Sequence, residues 1–155
     1  MKTVEISTHL NAPVDQVWSE VNKPQLLMFV AHPVLHFIPI EPERLPDRWA
    51  DGDYIFKLRW HNIVPLGKLV ISISRPATEG KLRLLRDNGH GALVRRWDHL
   101  ISLEPDGNGT RYTDRVALDA GIATPVVAAF ARSFYTHRQR RWHRLVESNF
   151  NYILS

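Results

Sequence analysis

Thr124-Pro125-Val126-Val127-Ala128-Ala129-Phe130 begins a run of about thirty residues with no glycine and, beyond Pro125, no proline; it continues through Phe134, Arg138, Arg141, Trp142 and Leu145 to about Leu154. On a 3.6-residue period Val127, Phe130, Ala131, Phe134, Trp142, Leu145, Val146, Tyr152 and Ile153 gather on one broad side, which predicts an amphipathic helix over the whole run. Arg138 falls in the middle of that apolar side. A charged group there needs a partner or a ligand. Residues 124–155 carry five arginines against the single acid Glu147, so the net charge of +4 resides in this one segment.

Working outward, the segment before it reads as a long hairpin. The loop Pro105-Asp106-Gly107-Asn108-Gly109 is rich in residues that accept positive φ. Pairing symmetric about it sets Leu103 opposite Tyr112, Ile101 opposite Asp114 and His99 opposite Val116, with Glu104–Arg111 and Arg96–Asp119 as charge pairs on the other face. Opposite charges across the strands favour this register over a one-residue slip, which would also turn the apolar set outward. His99 and Asp114 then face inward as diagonal neighbours.

Toward the amino terminus, Thr3 to Leu10 alternates as a strand with one buried face. Asn11-Ala12-Pro13 starts a short helix, with Asn11 or a neighbour as cap, and Pro24 to Val30 forms a second. His32 to Ile40 is apolar but carries prolines, which confine it to an edge strand or an irregular one. Glu41 to Asp51 reads as a loop bearing Trp49. Tyr54, Phe56, Leu58 and Trp60 share one face of the next strand; after a turn at Asn62 to Gly67, Leu69, Ile71 and Ile73 share a face of another. Gly80 to Arg86 gives a strand with Leu82 and Leu84 in phase, and Asp87-Asn88-Gly89-His90-Gly91 reads as a turn. The order is strand, two short helices, about six strands and one long helix. A meander that large must curl, and only the long helix can fill its concave side. The expected class is α+β, a single domain spanning 1–155.

The chain resembles the START-like superfamily, also called SRPBCC, in particular its polyketide cyclase/dehydrase-like members. The opening strand Val4-Glu5-Ile6-Ser7 followed by Asn11-Ala12-Pro13-Val14-Asp15-Gln16-Val17-Trp18, the strand start Gly109-Thr110-Arg111-Tyr112-Thr113-Asp114, and the terminal Phe134-Tyr135-Thr136-His137-Arg138-Gln139-Arg140-Arg141-Trp142 carry the resemblance. It implies a helix-grip fold: a curved antiparallel sheet of about seven strands around the last helix, with a cavity between them. Strand phases line that cavity with Phe29, Trp49, Tyr54, Phe56, Leu58, Trp60, Leu69, Ile71, Leu84, Trp97, Ile101, Val116, Phe130 and Phe134, with Arg138 among them. So many large aromatics aimed at one space suit a flat or apolar ligand, although Trp60, Trp97 and Trp142 could fill the space themselves.

Three polar side chains face inward: His99, Asp114 and Arg138. Either Arg138 and Asp114 form an internal ion pair, or Arg138 holds a ligand carboxylate or enolate oxygen while His99 donates or accepts a proton. Three functions follow: a carrier or sensor for a small hydrophobic molecule, a cyclase/dehydratase-type enzyme using His99, Asp114 and Arg138, or a module docking an acidic partner on Arg132, Arg140 and Arg144. Cysteine is absent, which excludes disulfides and thiolate chemistry. Pro33 between His32 and His36 argues against a helical metal pair, so no metal is expected. No Walker, dinucleotide or Gly-x-Ser-x-Gly motif is present, so no cofactor is expected either. Basic residues are not interleaved with exposed aromatics, which disfavours dedicated nucleic-acid binding. Charges occupy the first residues and no apolar run reaches membrane-spanning length, so a cytoplasmic location is expected.

Overall fold

In a computed structural model, described for residues 1–153, the chain folds in the order β1 (Lys2–Leu10), α1 (Val14–Val21), α2 (Pro24–Ala31), β2 (Leu35–Glu41), β3 (Gly52–Trp60), β4 (Val64–Ser74), β5 (Arg83–Gly91), β6 (Arg96–Asp106), β7 (Gly109–Asp119) and α3 (Thr124–Glu147). The seven strands form one antiparallel sheet in the order β1-β7-β6-β5-β4-β3-β2. The proline-bearing β2 lies at an edge, where a missing N–H leaves no ladder bond broken. The β6–β7 hairpin has the register read from its charges, including Glu104 opposite Arg111 and Arg96 opposite Asp119. Among the described residues no helix is long and apolar enough to cross a membrane.

Several boundaries differ from the sequence reading. α1 is capped by Pro13 with no side-chain hydrogen bond, so Asn11 does not serve. The β3–β4 turn is only His61–Ile63; Val64 onward already pairs, and Gly67, at φ +84°, absorbs a register shift opposite Leu58. The segment Asp87–Gly91 is strand, not turn, and completes β5. α3 stops at Glu147 rather than near Leu154, a residue outside the described part. There Asn149 and Phe150 adopt φ of +55° and +61°. Their N–H groups reach Val146 O at 3.0 Å and Leu145 O at 2.8 Å, a Schellman stop built on asparagine in place of glycine. Tyr152 then folds back, its ring edge-on to Phe29 and its hydroxyl 2.6 Å from Glu20 Oε1.

α3 packs chiefly on β1, β7 and α2. Gln139 fixes the first contact by donating to Ile6 O at 2.7 Å. Arg141 fixes the α2 contact: its guanidinium lies 4.1 Å over the Phe29 ring and its Nε donates to Phe29 O at 3.1 Å. Trp142, Tyr112, Leu103, Leu145 and Phe56 are fully buried around this half of the helix. Strands β3 to β5 curl over the other half without packing tightly on it. The gap they leave is the site.

Candidate functional site

A cavity of about 310 Å³ opens between the sheet and the first turns of α3. Its walls are Leu58 and Trp60 of β3, Leu66, Lys68, Leu69 and Ile71 of β4, Val94, Trp97 and His99, and Val126, Val127, Phe130, Phe134, Tyr135 and Arg138 of α3, with Leu27, Leu35 and Phe37 behind. Exposed Trp60, Leu93 and Val126 border it. At its inner end a smaller chamber of about 50 Å³ continues toward α1 and the 42–51 loop, lined by Val21, Leu26, Trp49, Ile73, Leu85 and Ile101. Asp87, His99 and Arg138 belong to the walls of both spaces, so the polar groups stand at their junction.

His99 projects from β6 because the hairpin register turns it inward. Its Nε2 meets Asp114 Oδ1 at 2.7 Å. Asp114 is fully buried behind it and lines neither space; Tyr112 donates to the same Oδ1 at 3.0 Å and Gln139 to Oδ2 at 3.2 Å. Burial opposes ionisation of Asp114, but the His99 hydrogen bond and the Arg138 charge outweigh it and hold the carboxyl below its usual range. Burial also lowers the His99 pKa, against the pull of Asp114. The neutral ring therefore donates from Nε2 to the carboxylate and leaves Nδ1 as an acceptor.

Arg138 is 4 % exposed. The ion pair anticipated with Asp114 is loose: Nη2 stands 3.9 Å from Oδ1, beyond hydrogen-bond length, and that oxygen already takes two shorter bonds. The Arg138 Nε is buried without a hydrogen-bond partner among the described residues. The guanidinium lies 5.3 Å from the Tyr135 ring centroid and 6.0 Å from that of Phe134. Burial works against its charge, yet Tyr112, Asp114 and Tyr135 around it more than offset that, and it remains a cation.

Asp87 is the group sequence reasoning missed. Pairing Arg86 with Asp98 on the outer face, at 2.7 and 2.8 Å, places Leu85, Asp87 and Gly89 inside. The β4–β5 ladder pairs Leu69, Val70, Ile73 and Ser74 but skips Ile71 and Ser72. In the gap the Asp87 side chain takes the Ser72 N–H at 2.8 Å. Gly89 makes room for this, since a Cβ there would lie 2.3 Å from Val70 O and 3.0 Å from Asp87 Oδ1. No cation stands within 4.0 Å of the carboxyl among the described residues. Burial pushes its pKa up to about 8, with the Ser72 N–H pulling only partly the other way. That shift favours the neutral acid at pH 7. A turn assignment hid it; the Arg86–Asp98 pair was the available signal.

Of the anticipated lining residues, Leu58, Trp60, Leu69, Ile71, Trp97, Phe130, Phe134 and Arg138 border the larger space, and Trp49 and Ile101 the smaller. Phe29, Tyr54, Phe56 and Val116 do not border either. Phe29 is covered by Arg141 and Tyr152; Tyr54 anchors the loop through Ala50 O at 2.9 Å; Phe56 and Val116 are closed over by core. Leu84 is replaced by Leu85, because the strand is one residue out of the assumed phase. Of the three anticipated tryptophans that could have filled the space, Trp60 stands at its border, Trp97 in its wall, and Trp142 in the core, and the cavity stays open. Arg132, Arg140 and Arg144 are exposed on the far side of α3.

In fold, the chain is similar to the protein TTHA0849 from Thermus thermophilus, with a TM-score of 0.64 at 12% identity over 97% of this chain and 100% of that one. It is similar to a START superfamily protein from Mycobacterium smegmatis, with a TM-score of 0.62 at 14% identity over 94% and 97% of the two chains. It also resembles DynU16, a putative protein in the dynemicin biosynthetic locus, at 16% identity and TM-score 0.53, over 96% of this chain and 48% of that one. The architecture is thus the START-like helix-grip fold. No curated protein matches the sequence. A family model matches residues 8–146, nearly all of the sheet and of α3, and the chain belongs to that family, described as domain of unknown function DUF8410.

Proposed function

We propose that this protein binds a small, mainly apolar molecule in the cavity between sheet and α3, as a carrier or sensor. The observation that carries this reading is the preformed space itself: about 310 Å³, apolar-walled and open to solvent, which is the character of small-molecule sites. The exposed apolar residues Trp60, Leu93 and Val126 beside the opening suit the entry of a hydrophobic ligand. Titration with the neutral fluorophore N-phenyl-1-naphthylamine tests it. Enhancement that saturates, and is lost in Leu69→Trp, which would fill the space, is the expected result. A wild-type protein that leaves the probe in water, and carries nothing when isolated from its host and weighed by native mass spectrometry, refutes it.

A second reading, acid–base turnover of the bound molecule, is favoured by the 2.7 Å His99–Asp114 contact with the ring in the cavity wall. The neutral imidazole accepts a proton at Nδ1, Asp114 stabilises the cation that forms, and Arg138 faces any oxyanion that develops. His99→Ala that binds ligand but yields no product is the expected signature; unchanged turnover in that variant removes the reading.

A further inference from the structure

The junction of the two chambers holds more polarity than an apolar ligand needs. Arg138 is 4 % exposed, its Nε has no partner, and Asp114 is too far and too well satisfied to complete it. A buried guanidinium left in that state is costly unless something else takes its hydrogen bonds. Asp87 shares both walls with it, yet the two form no ion pair. Its Oδ1 accepts from Ser72 N at 2.8 Å, and Oδ2 has no partner among the described residues. Half-buried in the wall, the carboxyl is desolvated enough to favour its protonated form, which makes it a donor. A cation and a neutral acid thus border one space, and the two groups nearest the guanidinium, the Tyr112 hydroxyl and the Asp114 carboxylate, are already bonded to each other and to His99, so the Arg138 Nε stays unmatched among the described residues.

We propose that the cavity ligand is an apolar molecule bearing a single carboxylate, which accepts hydrogen bonds from the Arg138 guanidinium and the Asp87 hydroxyl while its apolar body lies among Leu58, Leu69, Trp97 and Phe130. This rests on the cavity being a ligand site. A planar carboxylate matches the guanidinium fork and can accept on both oxygens. A single negative charge matches the buried Arg138; among the described residues the only other cation in the walls is Lys68, which is exposed. A doubly charged phosphate would leave one charge uncompensated close to the Asp114 carboxylate. An alcohol offers one neutral acceptor oxygen and no charge, and so meets the guanidinium fork only in part.

The test compares 2-naphthoate with 2-naphthylmethanol by calorimetry at pH 7, with N-phenyl-1-naphthylamine as a neutral control for the cavity. Wild-type protein should prefer the acid by ~10-fold or more, the range of one charge-assisted hydrogen bond. Arg138→Met should abolish the preference while the neutral probe still binds. Asp87→Ala should weaken the acid several-fold, and Asp87→Asn, whose amide can donate, should restore it. Equal affinity of wild type for acid and alcohol overturns the proposal, as does a preference that survives Arg138→Met. Where Arg138→Met does not fold, the wild-type comparison decides. Failure of all three probes with wild type instead refutes the cavity as a ligand site.

Discussion

Replacing Asp87 by asparagine should stabilise the protein, and by an amount that grows with pH. The carboxyl ionises near 3.8 when exposed and near 8 in the fold. Between those values the folded chain keeps a proton that the unfolded chain has released. This contribution to stability is therefore complete below the lower value and is lost as pH rises toward the upper one, at about 1.4 kcal/mol per unit. At pH 7, roughly three units above the lower value, the ceiling is ~4 kcal/mol. Water in the open cavity screens part of that and leaves about 2–4 kcal/mol. Asparagine keeps an acceptor for the Ser72 N–H and does not titrate. The groups whose charge or titration bears on Asp87 are His99 of β6 and Tyr135 and Arg138 of α3 on the inner side, with Asp98 of β6 and Asp53 of β3 acting from the outer face of the sheet. They are present in both proteins and cancel to first order in the difference. Urea unfolding of both at pH 5 and pH 7 should show the advantage of the variant widening by about 1–3 kcal/mol, the upper end being the full two-unit span at 1.4 kcal/mol each. An advantage of the same size at both pH values would mean that Asp87 is ionised throughout, and the account of the site as a neutral acid beside a cation would fail.

Gly89→Ala should cost at least about 1–3 kcal/mol, because its Cβ would lie 2.3 Å from the Val70 carbonyl, a backbone atom that moves only with the ladder; thermal unfolding within a degree of wild type would contradict this. Asn149→Val should cost ~1–2 kcal/mol, since Asn149 sits at φ +55° in the α3 stop, where β-branched residues are strained; denaturant midpoints measure it. Tyr112→Phe removes the 3.0 Å hydrogen bond to Asp114 and should cost about 1 kcal/mol, with a chemical-shift change at His99 that an isolated packing defect would not produce. Changing Arg132, Arg140 and Arg144 together to glutamine should leave cavity-probe affinity within about twofold, as exposed charges across the helix couple weakly to its buried face.

Periodicity and local chemistry carried most of the architecture. Alternation defined strands wherever one face was apolar, the proline-bearing β2 was legible as an edge, and charges opposite each other across a Gly-rich loop set the β6–β7 register that brings His99 to Asp114. These are short-range signals, encoded within a few residues or between two strands joined by one turn. Where the local signal was ambiguous the reading slipped. Asp87-Asn88-Gly89-His90-Gly91 has the composition of a turn, and only pairing with β4 and β6 makes it strand. Leu84 and Leu85 are equally apolar, and the Arg86–Asp98 pair chooses between them. Nothing within α3 announces its end at Glu147, because asparagine can replace glycine in the left-handed position.

The tertiary structure alone decided which inward residues meet open space and which meet each other. Phe29, Tyr54, Phe56 and Val116 face the concave side as expected, yet their neighbours close over them, and whether a gap persists depends on how far β3 to β5 stand from a helix seated on β1 and β7. The sequence by itself determined that an arginine would lie on the buried face of the last helix and that His99 and Asp114 would adjoin. It could not determine that Asp114 would be satisfied by His99, Tyr112 and Gln139, leaving Arg138 without a full partner. Hydrogen bonds are exclusive at ångström range, so their allocation follows the packing of β6, β7 and α3 together and is not written in the spacing of any one.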